Sequence, residues 1–175
     1  PKADRRVKLV DTLLADERFS DRWTVFFADM VRIRSNAQGG NQLLAYVRNS
    51  IEEAKPYDEM VREMVASNGH PGNAPEVGYI LGENADPMAL AAMTAQTFLG
   101  VRLQCAQCHD HPFDHWKQKQ FYEFAGFFGK TKRIENNFSK VTYTTETDEM
   151  AIKWPPEGKG EDDERKAVKP NFPLE

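Results

Sequence analysis

Both cysteines of the 175-residue chain fall within one pentapeptide, Cys105-Ala106-Gln107-Cys108-His109. A Cys-x-x-Cys-His run is the pattern that fixes a porphyrin to a polypeptide as haem c. Each thiol forms a thioether with a vinyl group, and the histidine gives a ring nitrogen to the iron. On a helix, Cys105, Cys108 and His109 stand at i, i+3 and i+4 and share one face. One turn would then hold the porphyrin at three points, and the rest of the chain would have to fold around it.

Two other chemistries suit the same residues. A thioredoxin-like dithiol uses Cys-x-x-Cys, but it requires a flanking βαβ pattern, and the neighbouring residues here read as helical. A structural zinc ion accepts two thiolates and two imidazoles, which Cys105, Cys108, His111 and His115 could supply. Their spacing is not that of the common fingers, and there is no second Cys-x-x-Cys.

Composition narrows the classes further. A hydrophobic fraction of 40% supports a real core, and 11 Phe with 3 Trp suit a protein that must wrap a flat apolar group. Acidic residues outnumber basic ones by 27 to 23, which argues against nucleic-acid binding. No run of 18 apolar residues is present, so no membrane span is expected. The chain opens Pro1-Lys2-Ala3-Asp4 without Met or an apolar leader, and we read it as a piece of a longer protein.

Periodicity predicts helices over 4–15, from Asp21 to about Val31, over 42–54, from Pro56 through Val65, over 86–99 and over 117–128. Their expected apolar faces are Val7, Val10, Leu13 and Leu14; Trp23, Phe26, Phe27, Met30 and Val31; Leu44, Val47, Ile51 and Ala54; and Met60, Val61, Met64 and Val65. Asp86-Pro87 is a strong helix start, and Met88 to Leu99 is apolar almost all round. Gly100 is a potential kink, Pro112 stops the turn after His109, and Ser67 to Pro75 is a loop. Val141 to Thr145 and Met150 to Trp154 predict a small β-hairpin, followed by an exposed charged tail from Lys159 to Lys166. The fold class expected is therefore mostly α, an irregular helical domain around a covalently attached haem over 1–130, with a small C-terminal hairpin and extended tail over 131–175 leading to a further domain.

The segment Phe98 to Asp114, with Phe121-Tyr122 and Ala125 to Phe128, resembles the planctomycete-type cytochrome domain family, long catalogued as a domain of unknown function. Arg48 to Ile51, Lys55 to Asp58, Val61, Arg22-Trp23 and Asp29 are similar to further parts of that family's pattern. The resemblance spans most of residues 4–130. It implies a module of large, secreted or periplasmic proteins with a companion cytochrome domain, and haem c ligation through Cys105, Cys108 and His109. His111, Phe113 and Asp114 also belong to the pattern, and Asp110, His111 and Asp114 are expected to form a compact polar group beside the haem. His115 stands where the family more usually has another residue.

The ligand opposite His109 is open at this stage. His111 is too close in sequence, since two residues extend at most about 7 Å. If 88–109 were one helix, Met93 would lie about 24 Å along the axis from His109, and Met88 farther still. His115, His70, Met30, Met60 and Met64 are the remaining candidates, alongside an empty position. A sixth ligand would favour electron transfer, to a redox partner protein or a neighbouring cytochrome domain, whereas an open position would suit a gas-binding domain or haem enzyme. Asp110 or Asp114 is expected to cap the following helix, and His111 to hydrogen-bond backbone or a haem propionate, although an acid–base role for the group is the alternative. The expected function is mono-haem electron transfer rather than catalysis, with a zinc or disulfide structural module as the rival outside haem chemistry. The helices over 86–99 and 117–128 are expected to wall the haem.

Overall fold

The computed structural model describes residues 2–159 and 165–172. Seven α-helices occur among them: α1 (Lys2–Leu14), α2 (Glu17–Met30), α3 (Gly40–Glu52), α4 (Tyr57–Val65), α5 (Gly78–Gly82), α6 (Pro87–Phe98) and α7 (Gln118–Ala125). Short 3-10 helices at Pro75–Val77, Leu103–Gln107 and Gly126–Phe128 link them. The mostly helical architecture predicted from periodicity is thus the architecture found.

Local chemistry sets the helix boundaries. Asp86 caps α6, its carboxylate accepting from the backbone N–H of Met88 at 2.9 Å, and Pro87 at the first position has no N–H to satisfy. α2 starts earlier than the Ser20-Asp21 pair suggested, because Asp16 accepts from the Arg18 N–H and Glu17 then fills the first turn. On α3 the buried side is Leu43, Tyr46, Val47 and Ser50, while Leu44 is exposed. The face is turned from the expected one because Tyr46 buries its ring and sends its hydroxyl to the Glu63 carboxylate at 2.6 Å.

The core gathers Leu43 and Val47 of α3, Met60 and Met64 of α4, Tyr79 to Leu81 of α5, Leu90 and Ala91 of α6, Leu103 and Ala106, and Phe121 and Phe124 of α7. Inside it the Tyr79 and Thr94 hydroxyls pair at 2.8 Å, so neither polar group is left unmet. α1 forms as expected but packs no apolar stripe: Val7, Val10, Leu13 and Leu14 stay exposed, and so do Trp23 and Phe26 of α2.

The C-terminal region departs from expectation in its pairing. β1 (Thr131–Glu135) is antiparallel to β2 (Thr142–Glu146), with Thr131 opposite Glu146 and Glu135 opposite Thr142. Val141 to Thr145 does contribute a strand, but its partner lies upstream, not at Met150 to Trp154. Asn136 closes this hairpin, its side chain accepting from the N–H groups of Phe138 and Ser139 at 3.0 Å. Lys153–Trp154 forms β3 and pairs with β4, Lys166–Ala167. Much of the expected tail, 160–164, lies outside the described residues. Residues 165–172 are not a free tail: Val168 is buried, and Phe172 meets Phe124 edge-on at 6.1 Å.

Candidate functional site

The cysteine-bearing turn is separated from α6 by a break at Gly100. That residue adopts φ +69, in the left-handed region where a Cβ is penalised, and the Val101 N–H returns to the Ala95 carbonyl. Residues 88–109 are therefore not one helix, and the reach argument against Met88 and Met93 loses its premise. Met93 is instead held in the core, 4% exposed.

Cys105 lies within the 3-10 helix Leu103–Gln107 and Cys108 caps its end. In a 3-10 helix residues i and i+3 eclipse one another. The burial pattern follows that period: Leu103 and Ala106 are fully buried along one edge, and Cys105 and Cys108 are exposed along another. Both thiols are free. Cys108 is the first residue past the helix and His109 lies in a bend, so the expected single α-helical face is replaced by two exposed thiols at the helix and its end, followed by an imidazole outside it. The His109 Nδ1 sits 2.6 Å from the Asp110 carbonyl oxygen. A carbonyl only accepts, so Nδ1 carries the proton in this contact and Nε2 is left with its lone pair free.

A compact loop joins His109 to α7. Its ends are tied by the His111 N–H, which donates to the Trp116 carbonyl at 2.8 Å. Asp110 accepts from the Gln118 N–H at 2.9 Å and from Lys117 Nζ at 3.0 Å, and these two donors hold its carboxyl below the usual range. Asp110 thus serves the start of α7, the capping role expected for it. The Asp114 carboxylate accepts from the His115 N–H at 2.8 Å and the Trp116 indole N–H at 3.1 Å, and its carboxyl is likewise held low, chiefly by the former. His111 Nδ1 accepts from the Phe113 N–H at 3.2 Å, and the Phe113 ring projects into solvent, 94% exposed.

The candidates for an opposite ligand are dispersed. His115 pairs through Nδ1 with Asp114 at 2.7 Å and rests on the Trp116 ring. His70 Nδ1 accepts from the Gly72 N–H in the 67–75 loop. Met60 and Met64 are core side chains, 3% and 0% exposed, and Met30 packs half-buried against that core. Among the described residues no three His, Cys, Asp or Glu side chains converge as a metal-binding group, so the set Cys105, Cys108, His111 and His115 is not assembled for zinc.

α6 and α7 pack on each other and on the Leu103–Gln107 turn. Between them and α4 lies an apolar cleft of about 470 Å³, completed by Tyr57, Val61 and Val65 of α4 and by Phe172. Neither cysteine nor His109 lines it.

Sequence reasoning missed two residues that touch the turn. Gln118, 7% exposed, donates from Nε2 to the Gln107 carbonyl at 2.9 Å. Lys159 Nζ donates to the Cys108 carbonyl at 2.7 Å and to Gln118 Oε1 at 3.2 Å. A glutamine at a helix start and a lysine in a charged run carry no signal of such roles.

Fold and site together define a helical domain that displays a Cys-x-x-Cys-His turn on its surface. The chain belongs to the PSCyt2 family of proteins of unknown function (DUF1549), whose family model matches residues 1–133. Comparison with curated proteins gives no match. Comparison with solved structures gives none either. No helix among the described residues is long and apolar enough to cross a membrane.

Proposed function

We propose that this is a mono-haem c-type cytochrome domain that passes electrons within a larger exported protein, in the periplasm or outside the cell. The observation that carries the reading is the state of the turn's two thiols and its imidazole. Cys105 and Cys108 are free and exposed, and the His109 ring is oriented through Nδ1 so that Nε2 is available. This donor set fits haem c. When bound, the haem supplies a one-electron couple at its iron.

The protein's own groups have plain tasks in this reading. The thiols anchor, His109 ligates, and the Asp110 carbonyl holds the imidazole tautomer. Phe113, exposed on the following loop, offers apolar cover. The electron donor and acceptor are a redox partner protein or a neighbouring cytochrome domain.

A second reading keeps the haem but leaves its sixth position open for a small molecule. The placement of Met60 and Met64 in the core favours it, because neither reaches the surface on which the thiols lie. Rapid CO binding by the reduced protein distinguishes it from a six-coordinate carrier.

The test is production in a host with cytochrome c maturation machinery. The expected product is red, shows a Soret band and carries one haem mass that survives denaturation. Cys105→Ser with Cys108→Ser should lose that mass. A colourless wild-type product with both thiols unmodified overturns the proposal.

A further inference from the structure

We propose that Gln118 and Lys159 are positioning residues that clamp the backbone of the Cys105–His109 turn in the geometry needed for attachment. The inference rests on the haem reading for its purpose, but the clamp is a property of this chain alone.

A 3-10 turn is a weak way to present two thiols, since its hydrogen bonds are poorly aligned and runs beyond three or four residues are uncommon. Past Gln107 the backbone leaves the helix, so its carbonyls need partners from elsewhere. Those partners come from far along the chain. Gln118 Nε2 takes the Gln107 carbonyl and Lys159 Nζ takes the Cys108 carbonyl, 11 and 51 residues away in sequence. Lys159 also donates to Gln118 Oε1, so the two clamps are one unit. The Gln118 N–H reaches back to Asp110 Oδ1, which fixes the other side of His109.

Gln118 is therefore a buried amide with three of its groups engaged: Nε2 with Gln107, Oε1 with Lys159 and its backbone N–H with Asp110. Removing its side chain would orphan the Gln107 carbonyl and take from Lys159 one of its two acceptors, leaving only the Cys108 carbonyl. The positions it steadies, Gln107, Cys108 and Asp110, flank the second thiol and the iron-ligating histidine. Loss of the clamp should let Cys108 and His109 move relative to Cys105, whose neighbours Leu103 and Ala106 are separately anchored in the core.

The experiment compares wild type, Gln118→Leu, Lys159→Met and, as a control, Lys119→Met, which lies on another face of α7. Each is made with and without haem maturation. In the unmatured protein, Gln118→Leu should speed hydrogen exchange at amides 105–110 about tenfold, the factor expected from losing one or two ordinary hydrogen bonds. Amides 43–47 of α3 should be unchanged, which a general loss of stability would not allow. In the matured protein, the fraction carrying covalent haem should fall several-fold in Gln118→Leu and to a lesser degree in Lys159→Met. Lys119→Met should match wild type.

If wild type takes up haem and neither Gln118→Leu nor Lys159→Met changes exchange or loading, the clamp is refuted. If wild type takes up no haem yet Gln118→Leu loosens 105–110 selectively, the clamp stands and the haem reading fails. Should Gln118→Leu not fold, exposed Lys159 carries the same decision.

Discussion

The backbone of Gly78 lies directly against that of Gly39, so that a Cβ at Gly78 would strike the Gly39 carbonyl and come within 2.8 Å of Leu43 Cβ. The Gly39 carbonyl also accepts from the Leu43 N–H at 2.9 Å, and Gly39 itself has φ +75. Gly78→Ala should therefore cost about 1–3 kcal/mol by overpacking. Chemical denaturation measures it, with Gly82→Ala, whose Cβ meets nothing within 4 Å, as a neutral or slightly stabilising comparison.

Tyr79→Phe removes the hydroxyl that pairs with buried Thr94 Oγ1, and should destabilise by about 1–2 kcal/mol. The same tyrosine predicts the alkaline limit of the fold. Burial holds the Tyr79 hydroxyl well above its ordinary value of 10.0, and burial with the Glu63 carboxylate does the same to Tyr46. A raised folded-state pKa means that the folded chain keeps these protons more tightly than the unfolded one. The stability so contributed is intact below about pH 10 and is lost as pH rises beyond it. Phenolate absorbance followed together with circular dichroism should show both tyrosines ionising only with unfolding, whereas early ionisation of all 5 tyrosines would contradict their placement.

Asp86→Ala should cost about 1 kcal/mol and speed amide exchange in the first turn of α6, because the Met88 N–H loses its acceptor. Asp86→Asn, which keeps an acceptor, should recover most of that loss.

Protein made without haem maturation should consume two equivalents of iodoacetamide under native conditions, since Cys105 and Cys108 are both free and exposed. Alkylation that requires denaturant would contradict the outward edge assigned to them.

How much of this could be read in advance varies with the distance over which the cause acts. Asp86-Pro87 marks the start of α6 because capping is local, whereas the expected helix over 117–128 ends as α7 at Ala125 and leaves Phe127 exposed. Gly39 and Gly78 could not be paired in advance, since their contact is between backbones on separate elements. β1 was hidden because Lys132, Arg133 and Glu135 dilute its alternation, and its partner was fixed by the Asn136 turn. The pentapeptide itself was legible, but its 3-10 geometry depended on Gly100 ending α6 and on Leu103 and Ala106 being drawn inward. Gln118 and Lys159 reach the turn through single long side chains, an arrangement that leaves no periodic trace.

The return of residues 165–172 onto the helical body extends the packed structure past the end of the family match. Similarity to the family stops at residue 133, yet Val168 inserts into the core, Pro170 backs Gly126, and Lys159 touches the cysteine turn. A fragment cut at the edge of the recognisable family would bare the apolar seat of Val168 and Phe172, and would leave the Cys108 carbonyl without its lysine. The family model matches residues 1–133, while the packed body also takes in the segment from 165 to 172.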